Sequence, residues 1–277
     1  MLIVIPVSFS DEKLINDFSN CLNHFGPYEN HQLLVVSRPS DAAFAVSIYN
    51  KIKDNFKSRD IFCFEQDGTK GWPQGPNFYW HSTINYLKKI KNQLPWLWME
   101  LDMTPLKTGW IDTLEQEYST SGKYCLGWTQ DTTTVTTDQV IVCLTKHLVG
   151  AAIYPPDISD CCTIWEYVDR IPTAFDVLCQ WELVPNSHHT TLFQHCFRTQ
   201  NYKKLKDGSI KGEDHNGFPG GLRFDFPIDP NAVLHHGCDD GSLARLLVKI
   251  NSTKQTLLLE DNNKKIYKSK KFNKSSK

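Results

Sequence analysis

Apolar positions along the first hundred residues switch between two spacings. Leu2 to Val7 is a short apolar run rich in β-branched residues, closed by Pro6 and Ser8, and a helical spacing follows from Asp11 to Phe25. Gln32 to Val36 repeats the first pattern and ends in Ser37-Arg38-Pro39-Ser40. A helix is then predicted from Asp41 to Phe56, capped by Ser40 or Asp41. Ile61 to Glu65 is a third strand. This alternation predicts an α/β fold with a doubly wound, mostly parallel sheet. Such sheets bind ligands beyond the carboxyl ends of their strands, which puts Ser8 and Arg38 on the ligand edge.

Asp67 to Asn77, DGTKGWPQGPN, is a Gly- and Pro-rich loop leading into a helix from Phe78 to about Lys91. It contains neither a G-x-G-x-x-G fingerprint nor a Walker loop, so no dinucleotide or P-loop site is indicated. Gly71 and Gly75 suit tight turns, or a backbone that closely approaches a nucleotide. The stretch PWLWMELDMTPLKTGW carries the most chemistry. Trp96 to Leu101 reads as a buried strand, and Glu100 and Asp102 would share one side of an extended chain. Two carboxylates so placed repel and raise each other's pKa unless a cation is near, which points to a divalent metal. Thr104-Pro105 is a turn signal, and Trp110 to Tyr118 is an amphipathic helix.

Further on the spacing becomes less regular. Lys123 to Thr129 and Gln139 to Leu144 are expected strands around a polar loop, and HLVGAAIYPPDI runs from His147 to Ile158. Phe175 to Val184 and His188 to Phe197 are expected to be helical, with Asp176 near the start of the first. Lys206 to Pro230 has no regular pattern, as in binding loops or lids. Ala232-Val233-Leu234 ends in His235-His236-Gly237, ahead of a helix from Leu243 to Ile250.

Composition adds limits. With 277 residues, 40% hydrophobic, 22% charged and a net charge of −1, the chain is long enough for a substantial core, and its overall charge names no partner. No apolar stretch reaches the ~18–20 residues of a membrane span, and MLIVIPVSF lacks a basic leader. The expectation is a cytoplasmic protein, in host cytoplasm if viral, without membrane contact. Nine cysteines without a Cys-x-x-Cys suit buried reduced thiols, Cys63, Cys125, Cys143, Cys179 and Cys196 among them, better than a disulfide framework. From Lys264 to Lys277 there are seven lysines and no acid. Such a tail is a solvated charge run or, with Tyr267 and Phe272 interleaved, a nucleic-acid contact.

Taken in order, IPVS at the first strand end, GWPQGPN, Glu100-Leu101-Asp102, GAAIYPP, AFDVL and VLHHG resemble a GT-A fold glycosyltransferase over roughly Leu2 to Ile250. The resemblance implies one domain over residues 1–261, with a nucleotide-sugar-binding half (1–118) and a mixed acceptor half (119–261), followed by a flexible tail (262–277). It implies transfer of a sugar from a nucleoside diphosphate to an acceptor hydroxyl, with Mn²⁺ or Mg²⁺ as cofactor. Asp102 is implied as the acid on the metal, while Glu100, where the family usually has Asp, reaches the ribose or the metal. One of His235 and His236 is implied as the late histidine ligand; a strand alternates faces, and His236, next to the glycine, is preferred over His235. Asp176 is implied as the acid on the acceptor side, with a helix-terminal charge as the alternative. Pro6, Val7, Ser8 and Arg38 would line the base and ribose pocket, with Gly75 and Asn77 close by.

The GWPQGPN loop and VLHHG are also similar to glycosyltransferases of phages and large DNA viruses. That implies a hydroxymethylated pyrimidine in DNA as acceptor, met by the lysine tail, with a glycan or protein hydroxyl as the alternative. A base in a duplex would have to be flipped out. The competing classes are a non-catalytic nucleic-acid-binding relative and a metallohydrolase; the latter is weakened by the lack of a dense His/Asp cluster around any one motif.

Overall fold

A computed structural model of the chain describes residues 1–68, 70–131, 133–136, 141–214 and 225–253. The lysine-rich tail proposed to contact DNA lies outside the described residues. In chain order, β1 (Leu2–Val7) leads through a 3-10 turn at Phe9–Leu14 into α1 (Ile15–Phe25), and β2 (Tyr28–Ser37), α2 (Ala42–Ile52), β3 (Phe56–Cys63) and α3 (Gln74–Lys89) follow. Next come β4 (Trp96–Trp98), β5 (Thr104–Pro105), α4 (Trp110–Ser121), β6 (Cys125–Gln130), β7 (Thr133–Thr136), β8 (Ile141–Leu144) and β9 (His147–Tyr154). The rest comprises α5 (Phe175–Leu178), α6 (Gln180–Leu183), β10 (Ser187–His189), β11 (Phe193–Lys204), β12 (Ile210–Asp214), β13 (Asp225–Pro227) and β14 (Leu234–Cys238). A last helix, α7, covers residues 242–253.

The larger sheet has seven strands in the order β10-β6-β9-β4-β1-β2-β3. β1 pairs parallel with β2 and β4, and β2 with β3. β9 runs antiparallel between β4 and β6, and β10 pairs parallel with β6. Strands buried on both faces read as continuous apolar runs, which is why β1 and β2 stand out in the sequence. Ile3, Ile5, Val7, Leu33 and Val35 face one core with Phe18, Leu22, Ile48 and Trp110. Leu2, Val4, Leu34 and Val36 face another, with Trp80, Trp96, Trp98, Tyr154 and Phe175. At roughly 1.5–3 kcal/mol per fully buried aliphatic side chain, this two-sided burial holds the central strands in place.

A second sheet, β13-β12-β11-β14-β5, begins where β4 ends. β14 runs antiparallel to β5 and parallel to β11. The two sheets therefore share a corner at residues 99–103, and there the expected strand is cut short. β4 stops at Trp98, and the Met103 N–H bonds the Glu100 carbonyl at 3.1 Å to close a turn. Glu100 and Asp102 are brought together by this turn and not by strand alternation.

Other expectations are corrected. His188 to Phe197 is not helical but contributes β10 and the start of β11, because these residues pair with Cys125–Gly127 and with Leu234–His236. Such a short window carries no decisive period, and distant partners decided its structure. Lys206 to Pro230 contains β12 and β13, and its residues 215–224 lie outside the described ones. Cys63 is exposed at the end of the edge strand β3, whereas Cys21, Cys125, Cys161, Cys162, Cys179, Cys196 and Cys238 are buried.

Asn77, expected near a nucleotide, is instead fully buried in the first turn of α3. Its side-chain amide donates to the carbonyls of Val168 and Thr173, both at 2.7 Å, and its Oδ1 accepts from the Phe175 N–H at 2.8 Å. With its donors and acceptor spent on backbone, it ties α3 to α5 and has nothing left for a ligand. Asn77→Ala would leave those buried groups unpaired and should lower stability by roughly 2–4 kcal/mol. An unchanged midpoint in urea unfolding would show that the tie is dispensable.

Candidate active site

The corner between the sheets collects the acids. Beyond the end of β4, the Trp98 indole N–H donates to Glu100 Oε1 at 3.1 Å. In the next turn Asp102 is held by its carbonyl, which accepts the Cys238 N–H at 3.1 Å. That bond extends the β5–β14 pairing, in which His235 faces Thr104 and Leu234 faces Pro105. His236 is thereby turned onto the acids: its Nε2 lies 3.4 Å from Glu100 Oε2 and 3.5 Å from Asp102 Oδ1. His235 points the other way, fully buried, with its Nε2 2.5 Å from the Tyr202 hydroxyl and 3.2 Å from the Cys196 thiol.

The electrostatics follow from this crowding. Burial alone would push His236 down, but the Asp102 and Glu100 carboxylates outweigh it and hold the imidazole up at about 9. Burial favours a protonated Glu100, yet His236 and the Trp98 N–H overcome it and keep that pKa below the ordinary value. Asp102 is raised to about 6, by burial first and then by Glu100, Asp239 and Asp11, with His236 opposing. Asp102 Oδ1 is a buried acceptor without a hydrogen-bond partner. A buried orphan oxygen is costly unless something electropositive meets it.

The ligand atoms of Glu100, Asp102 and His236 all lie within 4.8 Å of one another. The separations of 3.4 and 3.5 Å are close to the roughly 3 Å between adjacent octahedral ligands at ~2.1 Å from an ion. Two carboxylates and one imidazole suit Mn²⁺ or Mg²⁺. These residues therefore fit a divalent cation. Among the described residues a second such group, His31, Asp112 and Glu115, sits at the amino ends of the strands, but there Glu115 binds the Met1 ammonium at 2.7 Å.

The acids form one end of a cleft of about 790 Å³ that opens at the carboxyl ends of β1, β2 and β4. Pro6, Val7, Ser8, Arg38, Gly75, Glu100 and Asp102 all line it. Arg38 is almost wholly buried, its guanidinium 4.8 Å from the centre of the Tyr79 ring. Its Nε is buried and has no hydrogen-bond partner. Asp176 is not part of the cleft wall. It sits behind the acids, where its carboxylate accepts N–H bonds from Gly150 at 3.2 Å and from Val177 at 2.9 Å. Burial, opposed by His147, raises its pKa, and its charge is felt at Glu100 and His236.

No protein-family model and no curated protein matches the sequence. Structural likeness is nevertheless extensive. The galactosyltransferase LgtC, solved in complex with donor and acceptor sugar analogues, superposes with a TM-score of 0.51 at 8% identity, over 91% of this chain and 96% of that one. The chain has the GT-A fold. Mouse xyloside xylosyltransferase 1 gives a TM-score of 0.48 at 9% identity over 85% of this chain and 96% of that chain. The 4-diphosphocytidyl-2C-methyl-D-erythritol synthase of Anaerococcus prevotii gives 0.43 at 11% identity over 68% and 86%.

The GT-A cleft also contains residues that the linear reading passed over. Asp11, Lys13, Asp41, Lys70, Trp72 and Asp239 all line it. Asp41, a helix-cap candidate by sequence, accepts with its carboxylate from the Phe9 N–H and from the Tyr79 hydroxyl, fixing the wall beside Arg38. Asp239 follows the VLHHG motif by two residues, and that proximity was the available signal. His195 was missed altogether. It is the register partner of His236 in the parallel β11–β14 pair, and their Nδ1 atoms are 3.0 Å apart.

Gly237 makes this packing possible. Its φ of 103° lies where side chains are disfavoured, and a Cβ would run into the Cys196 carbonyl oxygen of β11. Gly237→Ala should therefore part β14 from β11 and destabilise the GT-A chain by roughly 2 kcal/mol or more. Thermal melting checks this, and an unshifted melting temperature would contradict it. No helix among the described residues is long and apolar enough to cross a membrane.

Proposed function

We propose that this chain is a glycosyltransferase that transfers a sugar from a nucleoside diphosphate to an acceptor hydroxyl, with Mn²⁺ or Mg²⁺ held by Asp102, His236 and Glu100. The observation that carries the reading is the orphaned Asp102 Oδ1, set with Glu100 against His236 at the end of a cleft on the carboxyl edge of a GT-A sheet. When bound, such a cation supplies Lewis acidity to the leaving diphosphate. Lys13, Lys70 and Arg38 contribute positive charge along the same wall and would orient and neutralise the donor. Pro6, Val7 and Ser8, at the end of the central strand, would seat the nucleoside.

Asp176 is proposed as the acceptor-side acid. Two backbone N–H groups fix its carboxylate outside the cleft lining, so this role requires an acceptor that enters beside the Glu100–His236 corner. The acceptor hydroxyl is proposed to belong to a hydroxymethylated pyrimidine in DNA, with a glycan or protein hydroxyl as the alternative. Support for DNA is the run of seven lysines from Lys264 to Lys277.

The test is release of free sugar from UDP-, GDP- and CMP-sugars under Mn²⁺, followed by transfer to hydroxymethylated and to unmodified DNA. Asp102→Asn is expected to cut donor hydrolysis at least ~100-fold. Asp176→Asn is expected to cut transfer by ~10²–10⁴-fold while leaving Mn²⁺ binding intact. Mn²⁺ binding with no turnover of any donor would favour a non-catalytic relative. Turnover without labelling of either DNA would remove the DNA acceptor.

A further inference from the structure

His195 and His236 are the closest pair of imidazoles described above, and only His236 faces Glu100 and Asp102. We propose that His195 is the positioning residue that fixes the proton and the ring orientation of His236, so that Nε2 of His236 stays aimed at Asp102 and Glu100. The inference rests on the metal reading above for its consequence, but its geometry stands without a metal.

The argument is one of proton placement. Nε2 of His236 faces two carboxylate oxygens. In the charged imidazolium, the Nε2 proton faces them as an ion pair and Nδ1 carries the second proton. As a neutral metal ligand through Nε2, the ring must carry its only proton on Nδ1. In both states Nδ1–H of His236 is the donor, and the atom 3.0 Å away, Nδ1 of His195, must accept it. His195 must therefore be neutral with its own proton on Nε2.

The contact is built into the backbone. His195 and His236 are direct partners in the β11–β14 register, and their rings are tilted by 44° with centroids 4.8 Å apart. Gly237 lets the strands approach closely just beyond the pair. A partner on the far nitrogen of a ligating histidine sets its tautomer and its basicity, and losing it typically costs ~10–100-fold in metal affinity.

Two readouts test the proposal in the full chain. In metal-free protein, nitrogen NMR of the imidazoles should show scalar coupling across an Nδ1–H···Nδ1 bond between His236 and His195; absence of that coupling overturns the inference whether or not metal binds. In Mn²⁺ titrations, His195→Ala is expected to weaken binding ~10–100-fold. His195→Asn, whose amide oxygen stands close to the position of Nδ1, should recover most of the loss. Equal losses in both variants, or none in either, with thermal melts confirming that both are folded, would rule out an acceptor role. Failure of the wild-type chain to bind Mn²⁺ would instead overturn the metal reading, with the NMR arm still deciding the role of His195.

Discussion

The short antiparallel contact of β5 with β14 determines where the charged groups of the cleft meet. Glu100 and Asp102 belong to the end of one sheet and His236 to the middle of another. The turn at residues 99–103 folds the first sheet into the second, and the Cys238–Asp102 backbone bond locks the crossing. Side-chain attraction alone would not hold such a group, because burying charge is expensive and repaid only by good geometry. Here the backbone pairing supplies the geometry, and the charges are carried along with it.

What results is a corner with more negative charge than it can neutralise. Two carboxylates face a single imidazole, and the cleft as a whole is lined by five acids, Asp11, Asp41, Glu100, Asp102 and Asp239, against Lys13, Arg38 and Lys70. Part of this is absorbed by hydrogen bonds: Asp41 takes two, and Glu100 takes the Trp98 indole. The remainder concentrates on Asp102, whose inner oxygen has no donor. The rigid, doubly buried strands β1, β2 and β4 keep this imbalance from relaxing, since moving any of them would disturb a packed core on either face.

The legible parts of the sequence were those fixed by short-range pattern. The parallel strands announced themselves because burial on both faces leaves no polar alternation, and the residues at the ends of the early strands could be assigned to one edge on topology alone. The pair of acids and the histidine after a late strand were visible as residue types. Their meeting through a turn was not, nor was His195, because strand register is a long-range property that no local window contains. Asn77 misled for a related reason. The resemblance put it close to the base and ribose pocket, but the carbonyls that satisfy its amide come from a segment some ninety positions away. The region from His188 to Phe197 read as helix because short apolar spacings fit either period until distant partners choose.

The crossing of the two sheets also has a thermodynamic side. Asp102 and His236 are separated by a long stretch of chain, so any ion that joined them would act as a reversible cross-link, closing a loop that the unfolded chain closes only at an entropic cost. An ion that binds the folded corner and not the open chain adds its binding free energy to folding, about 2.7 kcal/mol at a concentration 100 times its dissociation constant. With such an ion bound, the stability of the β11–β14 sheet against the larger one would be a function of cation activity, and mass action on the corner would be felt by every strand that β14 holds in place.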